Sequence, residues 1–329
     1  MTVETGIRRY RRGLQGNWSE EVLRPRIQML KDGQELPFTV KVAKAQGLIQ
    51  QAVQEHGVEH CYLGFSGGQD SAVIAHLTEL AAPEMEFVFN DTGLEFLETY
   101  EYVSWWEKEF KRIITRTKPM KKLADILRED GYPLYSKRIA YMLSTEKRVA
   151  NLKSQDPRPA GSYKLLASAK VLHTLDAGVK ISDKCCHYLK HGPADKYAAE
   201  QGFTASILGM RADDSRDRRR NWLTMGCYYP VKKGADRVWP LAFWTEADVA
   251  KYHEVVGLPR AGLYDKGFTR NGCRLCGFGC HLASPNKFEL LAIWYPKFWK
   301  AAMTKFGYFD ACERLGIKDG RNIRGLDTV

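Results

Sequence analysis

Two groups of residues in this chain have the types and spacing to do chemistry. The first is Ser66-Gly67-Gly68-Gln69-Asp70-Ser71, preceded by the apolar run from Cys61 to Phe65 and followed by Ala72-Val73-Ile74-Ala75-His76-Leu77. A buried strand, a loop of small residues and an apolar helix in direct succession make an anion cradle. The adjacent glycines let backbone approach a ligand closely. Ser66 and Ser71 offer hydroxyls, and the helix start brings N–H groups and a positive dipole end. The spacing is neither Walker A, which needs a Lys-Ser/Thr pair after its last glycine, nor G-x-G-x-x-G. The plain alternative is a tight strand-to-helix turn. The second group is the cysteines: Cys185-Cys186, then Cys273, Cys276 and Cys280, with Cys61, Cys227 and Cys312 standing alone. Cys273-x-x-Cys276 by itself fits zinc, an iron–sulfur cluster or a redox pair. Adjacent cysteines make an awkward zinc knuckle because their side chains diverge. They reach two irons of a cubane more readily, which puts [4Fe–4S] ahead of zinc. Cys280 is a rival ligand. If three thiols bind, one iron stays open to exogenous sulfide; if Cys185, Cys186, Cys273 and Cys276 all bind, the cluster is closed. His187 and His281 are supporting groups, rival ligands or simple surface polars. Unrelated buried thiols are the plain alternative.

The elements that must position these residues read as α/β, with a doubly wound parallel sheet. Val42 to His56 has apolar residues on one helical face, and Gly57 ends it. Strands are expected at Cys61–Phe65, Phe87–Phe89, Arg112–Thr115 and Ala205–Gly209, alternating with helices. Val238–Leu241 reads as an edge strand closed by Pro240. Phe89 leads into Asn90-Asp91-Thr92-Gly93, and a helix is expected from near Glu95. Polar residues at the carboxyl end of a parallel strand line the ligand crevice, which makes Asp91 and Thr92 candidates. Thr245 is a good N-cap for the following helix. Residues 119–180 read as a helical insertion in which Tyr132, Tyr135, Tyr141 and Tyr163 alternate with Lys137, Arg138, Lys147, Arg148 and Lys164. That mixture suits stacking on bases plus phosphate contact, or half-buried tyrosines in a helical insert. The region from Phe288 to Trp299 reads as one aromatic, core-facing helix, and the polar tail after Gly316 reads as mobile. The linear division is a basic arm over 1–40, a nucleotide-binding domain over 41–260 and a cysteine-rich helical region over 261–329.

The chain has 329 residues, 44% of them hydrophobic, and a formal net charge of +11. That charge suggests a polyanionic partner, nucleic acid among them, or a basic surface that serves solubility alone. Eight clustered cysteines point to a metal or redox centre rather than disulfides. No apolar run has the length of a membrane span and no leader signal precedes the first element, so a cytoplasmic protein without a membrane partner is expected.

In order, the residues are Ser66 to Ser71, Asp91-Thr92-Gly93-Leu94-Glu95-Phe96-Leu97-Glu98-Thr99, Cys185-Cys186 with Lys190 and Pro193, Gly209-Met210-Arg211-Ala212 and Cys273-x-x-Cys276. This set resembles the phosphoadenosine phosphosulfate (PAPS) reductase family of the PP-loop ATP pyrophosphatase superfamily, over roughly residues 40–285. The resemblance is nearest to its iron–sulfur members, the adenylylsulfate (APS) reductases and the ATPases of DNA phosphorothioation. It implies an adenine nucleotide alpha hydrolase-like fold that binds ATP with Mg²⁺, or a sulfonucleotide. By position, Ser66, Gly67, Gly68, Asp70 and Ser71 would grip phosphate or sulfate. Asp91 and Thr92 would border the adenosine, and Arg211 and Arg216 would reach a phosphate. Ser66, Asp70 and Arg211 would be catalytic. Cys185, Cys186, Cys273 and Cys276 would hold the cluster. The reductases' Glu-Cys-Gly-Leu-His motif has no counterpart in these residues, where Cys312-Glu313-Arg314-Leu315-Gly316 stands instead. The leading expectation is therefore ATP pyrophosphatase chemistry that activates an acceptor, nucleic acid, for sulfur from a donor such as a cysteine desulfurase. The alternatives are sulfonucleotide reduction and a non-catalytic nucleotide- or nucleic-acid-binding component.

Overall fold

The computed structural model describes residues 20–144, 174, 176–231 and 234–323. The basic stretch before residue 20 and about half of the expected insertion, including Lys147, Arg148, Tyr163 and Lys164, lie outside them. The chain divides into two compact units, each discontinuous in sequence. Unit 1 is Met1–Asn90, Glu98–Thr117 and Ala194–Ala261, and unit 2 is Asp91–Leu97, Lys118–Pro193 and Gly262–Val329.

Unit 1 is built on a six-stranded sheet of order β3-β2-β1-β5-β7-β6. Its strands are β1 (Cys61–Phe65), β2 (Glu86–Asn90), β3 (Ile114–Thr117), β5 (Ala205–Leu208), β6 (Tyr228–Tyr229) and β7 (Asp236–Val238). All neighbours pair parallel except β6 with β7. The fold is α/β with a doubly wound, mainly parallel sheet. β1 lies between β2 and β5, and Cys61, Leu63 and Phe65 are buried. A central parallel strand buried on both faces reads as a continuous apolar run. Helices α1 (Glu20–Glu35), α2 (Phe38–His56), α3 (Gln69–Ala81) and α4 (Leu97–Glu109) accompany the first strands. Gly57 ends α2 with φ 85.

Three strand and helix assignments shift. β3 begins at Ile114 instead of Arg112, because Arg112 is engaged by Glu79 and the Met85 carbonyl and the ladder pairs Phe87 with Ile114. β7 is not an edge strand. It lies inside the sheet, and the two-residue β6 takes the edge, too short to show a period in sequence. The helix after β2 starts at Leu97, beyond Glu95.

Unit 2 contains α5 (Leu123–Glu129), the short parallel pair β4 (Leu134–Tyr135) and β8 (Gly277–Phe278), α6 (Lys137–Leu143) and the cysteine-bearing turn α7 (Lys184–Cys186). A π-helical segment, His187–His191, leads into α8 (Gly192–Gln201), which belongs to unit 1 from Ala194 onward. In unit 1, α9 (Arg216–Met225) and α10 (Glu246–Val256) follow. Thr245 caps α10 in a reciprocal capping box with Asp248.

The expected single aromatic helix is two, α11 (Lys287–Trp294) and α12 (Pro296–Lys305). Pro296 starts the second, since proline suits a first helical turn and cannot continue the preceding one. After α13 (Tyr308–Leu315) the tail is held as far as Ile323, contrary to expectation. Ile317 is buried, Trp299 Nε1 donates to the Asp319 carbonyl at 2.8 Å, and Asn286 Nδ2 donates to the Lys318 carbonyl at 2.8 Å. No helix among the described residues is long and apolar enough to cross a membrane.

Candidate functional site

In unit 1 the cradle forms where β1 ends. Gly67 adopts φ 69, a left-handed conformation that costs a side chain-bearing residue about 1–2 kcal/mol. Gly68 is the N-cap of α3, with φ −86 and ψ 167 and no side-chain cap, so the helix start faces its site as bare backbone. The Ser66 amide donates to Ser71 Oγ at 2.7 Å. The buried Ser71 hydroxyl thus shapes the loop from inside, while Ser66 is exposed at its tip.

The segment after β5 meets this loop. A Cβ on Gly209 would stand 2.8 Å from the Asp70 carbonyl oxygen, so only glycine permits the approach. Two residues on, the buried Arg211 donates from Nε to Asp70 Oδ1 at 3.0 Å and from Nη1 to Asp213 Oδ1 at 2.7 Å. Burial raises the Asp70 carboxyl above its ordinary value, and Arg211 opposes that rise. Burial alone would lower the Arg211 guanidinium, but Asp70 and Asp213 outweigh it and raise it. Arg211 is thus held charged and aimed by two carboxylates. Asp70 meets the guanidinium, which makes it a positioning group for that cation. Arg218 pairs with Asp214 at 2.8 Å, a contact the residue pattern did not single out. Arg216 is exposed at the first position of α9. His253 on α10 sets Nε2 3.2 Å from the Gln69 carbonyl and Nδ1 2.9 Å from the Leu258 carbonyl, tying α10 to the cradle.

Asp91 and Thr92 fall in unit 2. Asp91 Oδ1 accepts from the Gly93 amide at 2.9 Å. Thr92 Oγ1 donates to Glu95 Oε1 at 2.9 Å and lies 3.6 Å from Cys273 Sγ. Lys190, in the π-helical segment, meets Glu95 at 3.2 Å. Glu95 is 2% exposed, so its carboxylate relies on Thr92 and Lys190, with the Cys273 thiol donating to it at 3.9 Å. A π-turn re-aims side chains relative to a regular helix and is frequent at functional sites.

Cys185, Cys186, Cys273 and Cys276 share this surrounding: Cys185 feels the charge of all three others. Cys186 is lowered to about 6, first by its hydrogen bond with Cys185, then by Lys137 and Lys190 against the effect of burial. Cys185 is raised by that same bond and by burial. Burial pushes Cys273 up to about 11, opposed by Lys190. Burial pushes Cys280 likewise to about 11, with Lys287 opposing. The C-x-x-C loop is fastened by Tyr308, whose hydroxyl donates to the Leu275 carbonyl at 2.7 Å, and by the Arg274 amide donating to the Leu94 carbonyl at 2.8 Å. Tyr308 and Lys287 carried no sequence signal, since each acts from a separate element, and Lys137, read among the basic residues of the insertion, acts on Cys186.

The four thiols offer a sulfur donor set drawn from two segments. A tetrahedral zinc site with Zn–S near 2.3 Å needs sulfurs about 3.8 Å apart around one point. Among the described residues no three His, Cys, Asp or Glu side chains are placed to hold a single ion. Four thiols from two segments flanked by lysines are a soft donor set of the kind that takes iron–sulfur or zinc groups.

The sequence matches the family described as phosphoadenosine phosphosulfate reductase domain over residues 60–156 and 136–277. An adenosine 5'-phosphosulfate reductase of Streptomyces coelicolor is 25% identical over 234 residues, covering 71% of this chain and 78% of that protein. A phosphoadenosine 5'-phosphosulfate reductase of Xylella fastidiosa is 24% identical over 250 residues, 75% of this chain and 85% of that protein. An uncharacterized protein of Methanocaldococcus jannaschii is 24% identical over 244 residues, 74% of this chain; the match spans about half of that relative, 47%. Among solved structures, the PAPS reductase of Candida auris in a phosphate complex aligns with 78% of this chain and 97% of its own, at 19% identity and a TM-score of 0.44. Since the family match extends over well more than half of the 329 residues, this chain belongs to the phosphoadenosine phosphosulfate reductase family.

Proposed function

We propose that this protein is an ATP pyrophosphatase that adenylylates an acceptor oxygen on nucleic acid and so prepares it for replacement by sulfur. The cradle from Ser66 to Ser71, with Arg211, takes the phosphates. The acceptor oxygen attacks the α-phosphorus of ATP, the bond to the bridging oxygen breaks, and pyrophosphate leaves. The uncapped start of α3 and the aimed guanidinium of Arg211 stabilise its developing charge. Mg²⁺ enters with ATP as part of the substrate. A partner such as a cysteine desulfurase supplies sulfur as a persulfide, a thiol reductant releases it at the oxidation level of sulfide and is itself oxidised to a disulfide, and that sulfur then forms the acceptor–sulfur bond as AMP departs with the oxygen.

In unit 2, Cys185, Cys186, Cys273 and Cys276 would hold a [4Fe–4S] cluster, with Cys280 as rival ligand and zinc as the alternative occupant. Such a cluster supplies redox and sulfide chemistry when bound. The chain's own part is to hold Cys273 against Thr92 and Glu95, and to offset thiolate charge with Lys137 and Lys190.

The observation that carries this reading over reduction is the place of Cys312. A thiosulfonate-forming reductase needs an accessible thiolate. Cys312 is 0% exposed within α13, and burial raises its thiol far from ionisation. A second reading, reduction of APS or PAPS with release of sulfite, is favoured by the names of the relatives. Incubation with Mg²⁺–ATP, with and without DNA or RNA, decides between them. Pyrophosphate release is expected. Sulfite from APS or PAPS with no pyrophosphate from ATP under any condition overturns the proposal.

A further inference from the structure

Helix α9 carries the sequence Arg216-Asp217-Arg218-Arg219-Arg220 in its first turns. Arg218 is neutralised by Asp214. Arg216, Arg219 and Arg220 stand at positions i, i+3 and i+4, which places them on one face. All three are exposed, and among the described residues none has an ion-pair partner. This is an unfavourable arrangement for a helix on its own. Like charges at i, i+3 and i, i+4 repel, and cations oppose the positive end of the dipole. One turn further on, Trp222 is buried in a core with Leu30, Ala212, Trp239 and Ala242, and Leu223 packs against it. The helix is thus anchored through its second half and presents exposed, unpaired positive charge in its first turns.

We infer that the Arg216–Arg219–Arg220 face of α9 is a docking surface for the phosphate backbone of double-stranded DNA. Three forked donors about 6 Å apart at most along the helix axis, at 1.5 Å rise per residue, match a partner with closely repeating anions. Duplex DNA is such a partner, with one charge per roughly 1.7 Å of axis. The aromatic residue of α9 is buried, so this face has no platform for stacking unpaired bases, which single strands require. An exposed helical face meets the wide groove and backbone of B-form DNA more readily than the narrow groove of an RNA duplex. Contacts of this kind position a duplex without reading its sequence. The segment joining β5 to α9 contains Arg211, so the duplex would be held next to the phosphate cradle of the same unit. The inference rests on the proposed nucleic-acid acceptor and assigns it a surface.

The test measures binding of a labelled duplex DNA by fluorescence anisotropy, without ATP, over a salt series. Arg219→Ala/Arg220→Ala is compared with Arg219→Lys/Arg220→Lys, and nucleotide affinity is measured separately on each. The alanine pair is expected to bind DNA at least about tenfold more weakly and to lose about 1.8 from the log–log salt slope, since each phosphate contact contributes about 0.9. The lysine pair is expected to retain most binding, and both to keep the wild-type affinity for ATP. Undiminished DNA binding by the alanine pair, equal loss in the lysine pair, preference for single strands or duplex RNA, or no DNA binding by the wild type each overturns the inference. Because ATP is absent, failure of pyrophosphate release leaves this result standing on its own.

Discussion

Cys312 and Cys186 show how differently two thiols of one chain are placed. Cys186 is half-buried beside Lys137 and Lys190 and ionises easily, whereas Cys312 is sealed in α13. Cys312→Ala is therefore expected to leave pyrophosphate release within about twofold of wild type, and to cost roughly 1–3 kcal/mol of stability through lost packing. Abolished turnover in a folded Cys312→Ala variant, read by a thermal melt beside the activity assay, would identify that thiol as the nucleophile instead. At the same scale, Arg211 was legible only as a candidate phosphate ligand, through the family resemblance of Gly209-Met210-Arg211-Ala212. Its engagement by Asp70 and Asp213 was not, because those partners come from a helix start 141 residues away and from its own turn.

At the scale of elements, the contact between the end of β5 and the start of α3 sets the cradle. Gly209→Ala places a methyl against backbone that cannot rotate away, with the Asp70 carbonyl oxygen at 2.8 Å. The start of α3 must shift. ATP affinity measured by calorimetry is expected to fall at least about tenfold, with a stability loss of about 1–3 kcal/mol for overpacking. Helix α10 gives a pH-dependent case. Burial pushes the Asp248 carboxyl up, but hydrogen bonds from Lys41 and Thr245 win and hold it below its ordinary 3.8. A depressed carboxyl adds stability above its unfolded value and loses it as pH falls through the folded one. Asp248→Asn is thus expected to cost roughly 1–3 kcal/mol at neutral pH, since Lys41 is 4% exposed and loses its carboxylate at 2.6 Å. Denaturation midpoints should show the gap to wild type closing as the pH drops below 3.8. A gap that widens in acid would refute the assigned sign.

At the scale of the whole molecule, the net charge of +11 predicts a division between two activities. Basal ATP turnover depends on groups a few ångströms apart and should change little with salt. Any stimulation by nucleic acid should fade by about tenfold for a fourfold rise in salt, if as few as two phosphates are neutralised. Pyrophosphate release measured along a salt series checks this. The strand, the glycine loop, the helix after it and the two cysteine segments were all determined by local sequence. Apolar runs, positive-φ glycines and cysteine spacing act within a few residues. The partners of Glu95, the fastening of the C-x-x-C loop by Tyr308, the closed tail up to Ile323 and the edge position of β6 were decided only in the tertiary structure. Each depends on a pairing between segments far apart in the chain, and which distant side chain fills a given hydrogen bond or cavity is a property of packing that no local pattern encodes.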